Sequence, residues 1–87
     1  EKCGAVKAAV DGSEVPPNIQ AIAAKIQPAV AAAKAKHADN VYEEAADLNV
    51  GNMVDVLKHD PVIEHIKGIK IVGAKYHLES GQVDFIK

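Results

Sequence analysis

The apolar residues of this chain change period at Gly68. Before it they recur at three- and four-residue spacing, the mark of one-sided helices: Ile19, Ile22, Ala23, Ile26, Val30 and Ala33 form one stripe, Val41, Ala45 and Leu48 a second, and Val50, Val54 and Leu57 a third, shifted around the axis. After it, Ile69-Lys70-Ile71-Val72-Gly73-Ala74 is a short apolar run suited to a buried strand. Ala74, Tyr76 and Leu78 then alternate with Lys75, His77 and Glu79, Glu79-Ser80-Gly81 reads as a hairpin loop, and Gln82 to Ile86 alternates again. Helices followed by a single hairpin cannot close a sheet of their own. A two-stranded hairpin is marginal in water, and the run from Ile69 to Ala74 is too apolar for a sheet edge facing solvent. The expected fold class is therefore α/β, with helices and a C-terminal β-hairpin that completes a mostly parallel sheet whose other strands are absent from this sequence.

Local chemistry sets the expected boundaries. Cys3 to Val10 reads as a short helix, stopped by Asp11-Gly12-Ser13 with Gly12 suited to the left-handed position. Val15-Pro16-Pro17 is an extended link, and Asn18 is the expected N-cap of a second helix, which Pro28 is expected to kink or split. Asn40 with Glu43 resembles a capping box opening a third helix that runs to about Lys58 and is weakened where the stripe shifts, at Asn49 and Gly51. His59-Asp60-Pro61 stops it and starts a short helix from Val62 to Ile66, closed by Gly68.

With 87 residues the chain suffices for one small domain, residues 1–87, burying about 60–65% of its unfolded surface. Hydrophobic residues make up 48% of it, but with no Trp, one Phe and two Tyr the core must be built from Ala, Val, Ile and Leu. Such a core is poor for an independent fold, so the chain is expected to dock onto something larger. The net charge is −2 and the basic residues are scattered singly, which argues against a nucleic-acid surface. No apolar run approaches the ~20 residues of a membrane span, and the N-terminus lacks a signal-peptide shape. A single cysteine makes no internal disulfide, so a cytoplasmic location is expected, with an organelle lumen as the alternative. The chain opens on Glu1, and the first helix has no element leading into it; a processed or truncated start is the expectation.

Few side chains here carry chemistry. By itself Cys3 reads as a buried inert thiol. His59 and His65 are six apart, not a same-face spacing; His37 follows a helix end, and His77 is expected to face outward from its strand. Glu43 and Glu44 are adjacent, so they share no helix face, and acids are favoured in a first turn for electrostatic reasons. Tyr76 is expected to be a packed strand residue.

Three stretches, in order, give the chain a family likeness: Cys3-Gly4-Ala5-Val6; Asn49-Val50-Gly51-Asn52-Met53-Val54-Asp55-Val56-Leu57 with Pro61-Val62-Ile63 after it; and Ile71 to Val83, which contains Gly73-Ala74-Lys75-Tyr76-His77-Leu78-Glu79-Ser80-Gly81. Together they resemble the C-terminal half of a β-class carbonic anhydrase, from the second zinc-ligand cysteine to the closing hairpin. The resemblance implies that Cys3 is a zinc ligand and Gly4 a backbone support of the metal site. The partner histidine of the His-x-x-Cys-Gly-Ala-Val segment would lie one position before Glu1. The family's Cys-x-Asp-x-Arg segment, source of the other thiolate and of an Asp–Arg pair, has no counterpart here, so no catalytic residue is expected within this chain.

The resemblance implies reversible hydration of carbon dioxide to bicarbonate by a zinc-bound hydroxide in the intact protein. The implied cofactor is zinc, and the implied partners are the N-terminal half of the same enzyme and a second copy in a homodimer or higher oligomer. The chemistry fits Cys3: zinc lowers the pKa of water from about 15.7 to about 7, and a helix N-terminus stabilises negative charge on sulfur. One ligand does not hold zinc, so the chain alone is expected to be inactive. Two alternatives stand beside this reading: a related zinc hydrolase of carbonyl sulfide or carbon disulfide, and a non-enzymatic helical interaction module. A carbonic anhydrase homologue without activity is a further possibility.

Overall fold

A computed structural model describes residues 3–86. Three α-helices lead into one 3-10 turn and a hairpin: α1 is Gly4–Asp11, α2 Pro17–Ala35 and α3 Val41–Lys58, followed by a 3-10 turn at Ile63–His65 and strands β1, Gly73–Tyr76, and β2, Val83–Ile86.

The helix ends follow their local chemistry, with one correction. Gly12 closes α1 in the left-handed region, φ 69°, and its N–H donates to the Ala8 carbonyl at 2.9 Å. Asn40 caps α3, its side chain accepting from the Glu43 N–H at 3.1 Å. Asp60 accepts from the N–H groups of both Val62 and Ile63, which turns the chain out of α3 into the 3-10 turn. The expected N-cap Asn18 is instead inside α2: Pro16 is the cap, Pro17 begins the helix, and the N–H groups of Ile19 and Gln20 both donate to the Pro16 carbonyl at 2.9 Å. Proline suits the first helical position because the N–H it lacks has no intrahelical partner there.

Pro28 does not split α2. It lies on the exposed side of the helix, as does Ala24, whose carbonyl loses its i+4 donor and is left for solvent. Nor is α3 interrupted at Gly51. The shift of stripe reflects a change of partner. Val41, Ala45 and Leu48 pack into the core shared with α1 and α2, whereas Val50 and Val54 meet β1 at Gly73.

The core consists of Val6, Ala9, Ala23, Ile26, Ala29, Val30, Ala33 and Ala45, all from the three helices. Its small residues let the helices approach closely but bury little area each. Polar links reinforce it. Gln27 Nε2 and Lys34 Nζ of α2 donate to the carbonyls of Ala9 and Val10, two of the groups that the end of α1 leaves without intrahelical donors.

The strands pair antiparallel, Gly73 with Ile86, Ala74 with Phe85, Lys75 with Asp84 and Tyr76 with Val83. Among the described residues this two-stranded sheet is the whole of the β-structure, and the mostly parallel sheet is not part of it. Among the described residues Ile69 to Val72 belongs to no strand, with Ile69 and Val72 exposed. That corrects the expected buried strand from Ile69: ladder bonding begins only at Gly73, where β2 reaches it.

The hairpin packs on α3 alone of the three helices, and it does so with its polar face. Gly73, Lys75 and His77 are the covered positions, and Ala74, Tyr76 and Leu78 are exposed. This reverses two expectations: Tyr76 is not packed, and His77 does not face outward. The reason lies on α3. Lys75 Nζ sits 2.8 Å from Asp47 Oδ1 and 3.4 Å from Glu43 Oε1, with its side chain only 12% exposed. Gly73, having no side chain, lets β1 abut Val50 and Val54.

Candidate functional site

Cys3 occupies the N-cap position of α1, with extended backbone (φ −71°, ψ 122°), and its carbonyl accepts from the Lys7 N–H at 3.0 Å. The thiol is exposed, not buried, and makes no capping hydrogen bond. What fixes it is the helix behind it. Val6 and Ala9 are buried against α2 and α3, and the far end of α1 is latched: Lys7 Nζ and Asp11 Oδ2 are 2.7 Å apart, and the Tyr42 hydroxyl of α3 donates to Asp11 Oδ1 at 2.7 Å. The Lys7 ammonium first, and then the Tyr42 hydroxyl, hold the Asp11 carboxyl below its ordinary value. Cys3 thus stands at the open end of a helix whose other end is tied down. Gly4, the first helical residue, is exposed, and a Cβ there would meet no atom among the described residues.

No group of three or more His, Cys, Asp or Glu that could hold a metal ion occurs among the described residues. The histidines do not converge. His37 follows α2 in the left-handed region (φ 56°) and is exposed; His59 caps α3, its Nδ1 2.7 Å from the Asp55 carbonyl; and His65 lies exposed in the 3-10 turn. His77 Nε2 pairs with Asp84 Oδ2 at 2.7 Å across the hairpin, and the Asp84 carboxyl is held below its ordinary value by Gln82 first and then His77. Glu44 pairs with Lys36 at 2.8 Å and Glu43 with Lys75, so both carboxylates tie parts of the fold together. Among the described residues the chain therefore offers a zinc ion one accessible thiol, Cys3, and no ligand set around it.

Sequence reasoning missed two features. A groove of about 770 Å³ runs between the second half of α3 and the hairpin, lined by Val50, Val54, Ile71, Gly73 and Ile86, with Asp55, Lys58 and Lys70 at its margin. The other is Asn49 of α3, whose buried side-chain oxygen has no hydrogen-bond partner among the described residues. The phase shift between the two α3 stripes was the signal for the groove; nothing local marks Asn49.

No helix among the described residues is long and apolar enough to cross a membrane. Neither curated proteins nor solved structures provide a match. The sequence model of one family, described as carbonic anhydrase, matches residues 1–83, which take in Cys3, all three helices and the start of β2. With nearly the whole chain matched and the cysteine of the family motif at the head of α1, the chain belongs to the β-class carbonic anhydrase family.

Proposed function

We propose that this chain is the C-terminal half of a β-class carbonic anhydrase domain and that the intact protein interconverts carbon dioxide and bicarbonate with the help of zinc. The family match over residues 1–83 carries this reading. Within it, Cys3 contributes one thiolate ligand from the head of α1, Gly4 gives the backbone room beside it, and the remaining ligands come from the N-terminal half. Zinc, once bound, supplies the acidification of water that carbon dioxide hydration needs at neutral pH. The residues of this chain hold α1, and therefore Cys3, in place through the core and the Asp11–Tyr42 latch.

Features of the chain support docking onto another segment. His77 N–H donates to the Gln82 carbonyl at 2.8 Å, so in the alternating antiparallel pattern the inward-bonded pairs are 77 with 82, 75 with 84 and 73 with 86. The N–H and C=O groups of Ala74 and Tyr76 therefore point to the outer edge of β1, which follows directly on Ile69, Ile71 and Val72. Such an edge accepts a further strand.

The test compares the 87-residue chain, a longer protein that includes the Cys-x-Asp-x-Arg and His-x-x-Cys segments, and that longer protein with Cys3→Ser. The longer protein is expected to carry about one zinc per chain and to hydrate carbon dioxide. The short chain and the Cys3→Ser variant are expected to lose both zinc and activity. Full zinc content and full activity in the Cys3→Ser variant would sink the assignment of Cys3, and zinc without carbon dioxide hydration would sink the activity.

A further inference from the structure

An ionisable pair ties the covered face of the hairpin. The His77 N–H donates to the Gln82 carbonyl and the His77 carbonyl accepts from the Gly81 N–H, each at 2.8 Å, which closes the loop at the end of β1. The His77 side chain reaches diagonally to β2: its Nε2 lies 2.7 Å from Asp84 Oδ2, and the side chain is only 19% exposed. A diagonal neighbour in an antiparallel pair is within reach of a long side chain. Gln82 Nε2 donates to the other oxygen, Asp84 Oδ1, at 2.8 Å. Both carboxylate oxygens therefore have donors in place, and Gln82 first and then His77 hold the Asp84 carboxyl below its ordinary value. An ionised carboxylate only accepts, so His77 presents Nε2 to it as N–H whether the ring is charged or neutral. The proton that comes and goes is then the one on Nδ1. Its loss removes the charge of the ring and leaves the hydrogen bond.

We propose that His77 and Asp84 form a pH-dependent clasp, which holds the hairpin firmly below neutrality and slackens as pH rises through it. The surrounding charges favour the protonated ring. Asp84 faces it from β2, and Glu79 stands two residues along the chain in the loop. Lys75, on the same face of β1, is the neighbouring cation, and Asp47 and Glu43 of α3 offset its charge at 2.8 and 3.4 Å. A hydrogen bond between a charged donor and a carboxylate is about twice as strong as a neutral one. A histidine that gains a carboxylate partner on folding holds its proton more tightly folded than unfolded. Its contribution is complete below the unfolded value of about 6.5 and is lost as pH rises through the higher folded value. The other tie of this face, Lys75 to Asp47, keeps its charge past pH 10.5, so His77 is the group here that titrates near neutrality. Because the hairpin packs on α3 alone of the three helices, the slackening stays in the hairpin and spares the helical core. The proposal stands apart from the zinc reading, and its test contains no metal or activity readout.

Two NMR measurements on the unmodified chain test it without any substitution. In a titration of the imidazole resonances, His77 is expected to titrate above about 6.5, holding its proton about 2- to 5-fold more tightly than a free imidazole, the range for a partly screened pair. Protection of the His77 amide N–H, corrected for intrinsic exchange, is expected to fall by the same factor between about pH 5.5 and pH 8, because the two readings are one linkage. Buried Val30 in α2 is expected to show no such fall. Two variants then assign the effect. Asp84→Asn removes the carboxylate and is expected to lower the His77 titration point and flatten the pH profile of the hairpin. His77→Gln keeps an N–H donor without the titrating ring and is expected to flatten the profile as well. A His77 titration at or below about 6.5, equal hairpin protection at both pH values, a profile that survives Asp84→Asn, or a parallel fall at Val30 would each overturn the proposal.

Discussion

Replacing Gly73 with alanine tests the joint between α3 and the hairpin at its closest point. A Cβ at that position would overlap Val50 Cγ1 and come within 3.2 Å of Val54 Cγ2, whereas carbon atoms in favourable contact lie about 3.5–4.0 Å apart. The overlap can be relieved in two ways. Val50 can leave its rotamer, but valine in a helix occupies one strongly preferred χ1 well, and an off-rotamer side chain costs about 0.5–1.5 kcal/mol. Otherwise β1 must lift from α3, which lengthens the 2.8 Å contact between Lys75 and Asp47 and opens the groove beneath Gly73. Either route belongs to the overpacking class, with an expected cost of about 1–3 kcal/mol.

Because the hairpin touches no helix but α3, that cost should appear first as local opening. The assay is amide hydrogen exchange. The His77 N–H, bonded to the Gln82 carbonyl at 2.8 Å, reports on the hairpin, and buried Val30 reports on the helical core. Gly73→Ala is expected to speed exchange at His77 by about 5- to 150-fold, the factor that corresponds to 1–3 kcal/mol, and to change Val30 much less. Adding Val50→Ala removes the clashing methyls and should recover at least half of the loss in free-energy terms. That non-additivity is the signature of two residues in contact. Unchanged exchange at His77 in Gly73→Ala, or a Val50→Ala substitution that simply adds its own loss, would refute the close approach of β1 to α3.

Three further perturbations have defined outcomes. Lys75→Met removes the cation between Asp47 and Glu43 and should weaken hairpin protection by about 1 kcal/mol, a modest value because both carboxylates keep solvent contact. The Lys75 pKa is raised above 10.5, chiefly by its hydrogen bond to Asp47, so this contribution is complete below pH 10.5 and is lost as pH rises through the higher folded value. Hairpin exchange in the unmodified chain should therefore accelerate above that pH beyond the intrinsic rate, and in Lys75→Met it should not. Tyr42→Phe removes one of the two donors that depress Asp11; in an NMR titration the Asp11 carboxyl should move up toward 3.8, so the variant should be less stable than the unmodified chain above that value and the difference should narrow as pH falls below it. Asn40→Ala deletes the α3 cap and should cost about 1 kcal/mol in denaturant unfolding, while Asn40→Asp should retain most of the stability.

Features that depend on neighbours in the chain were legible in the sequence. Gly12 ends α1 because glycine tolerates the left-handed conformation, and Asn40 opens α3 because its amide oxygen reaches the Glu43 N–H. Asn18 misled because two good starting signals stood side by side, and Pro17 at the first helical position prevailed. The hairpin shows a different limit. Alternation along Ala74 to Glu79 told which residues share a face, but not which face is covered. That was decided by Asp47, Glu43 and Val50, more than twenty residues upstream, which offer a cation site and a flat contact that only Lys75 and Gly73 can fill. Cys3 was legible as a candidate ligand through its four-residue motif alone, since by itself a cysteine of this kind reads as a buried thiol, and here it is exposed.

The two parts of the molecule that matter for a metal site and for a sheet are both registered on α3. At its start, the Tyr42 hydroxyl holds Asp11 and so fixes the C-terminal end of the helix that carries Cys3. Five residues later Asp47 holds Lys75 and so fixes the hairpin. At 1.5 Å per residue the two anchor points are about 7.5 Å apart along a continuous helix, a separation that a rigid rod keeps constant. The out-of-phase stripes of α3 serve the same end, one turned to α1 and α2 and the other to Gly73. A core of alanine and valine buries too little area to position two such elements by hydrophobic contact alone, and the charged and hydroxyl links at Asp11 and Lys75 supply the direction that small apolar side chains lack. The consequence is that α3 couples the helix that carries Cys3 to β1, so changes at Tyr42 or Asp47 should disturb the position of the Cys3 thiol relative to the hairpin.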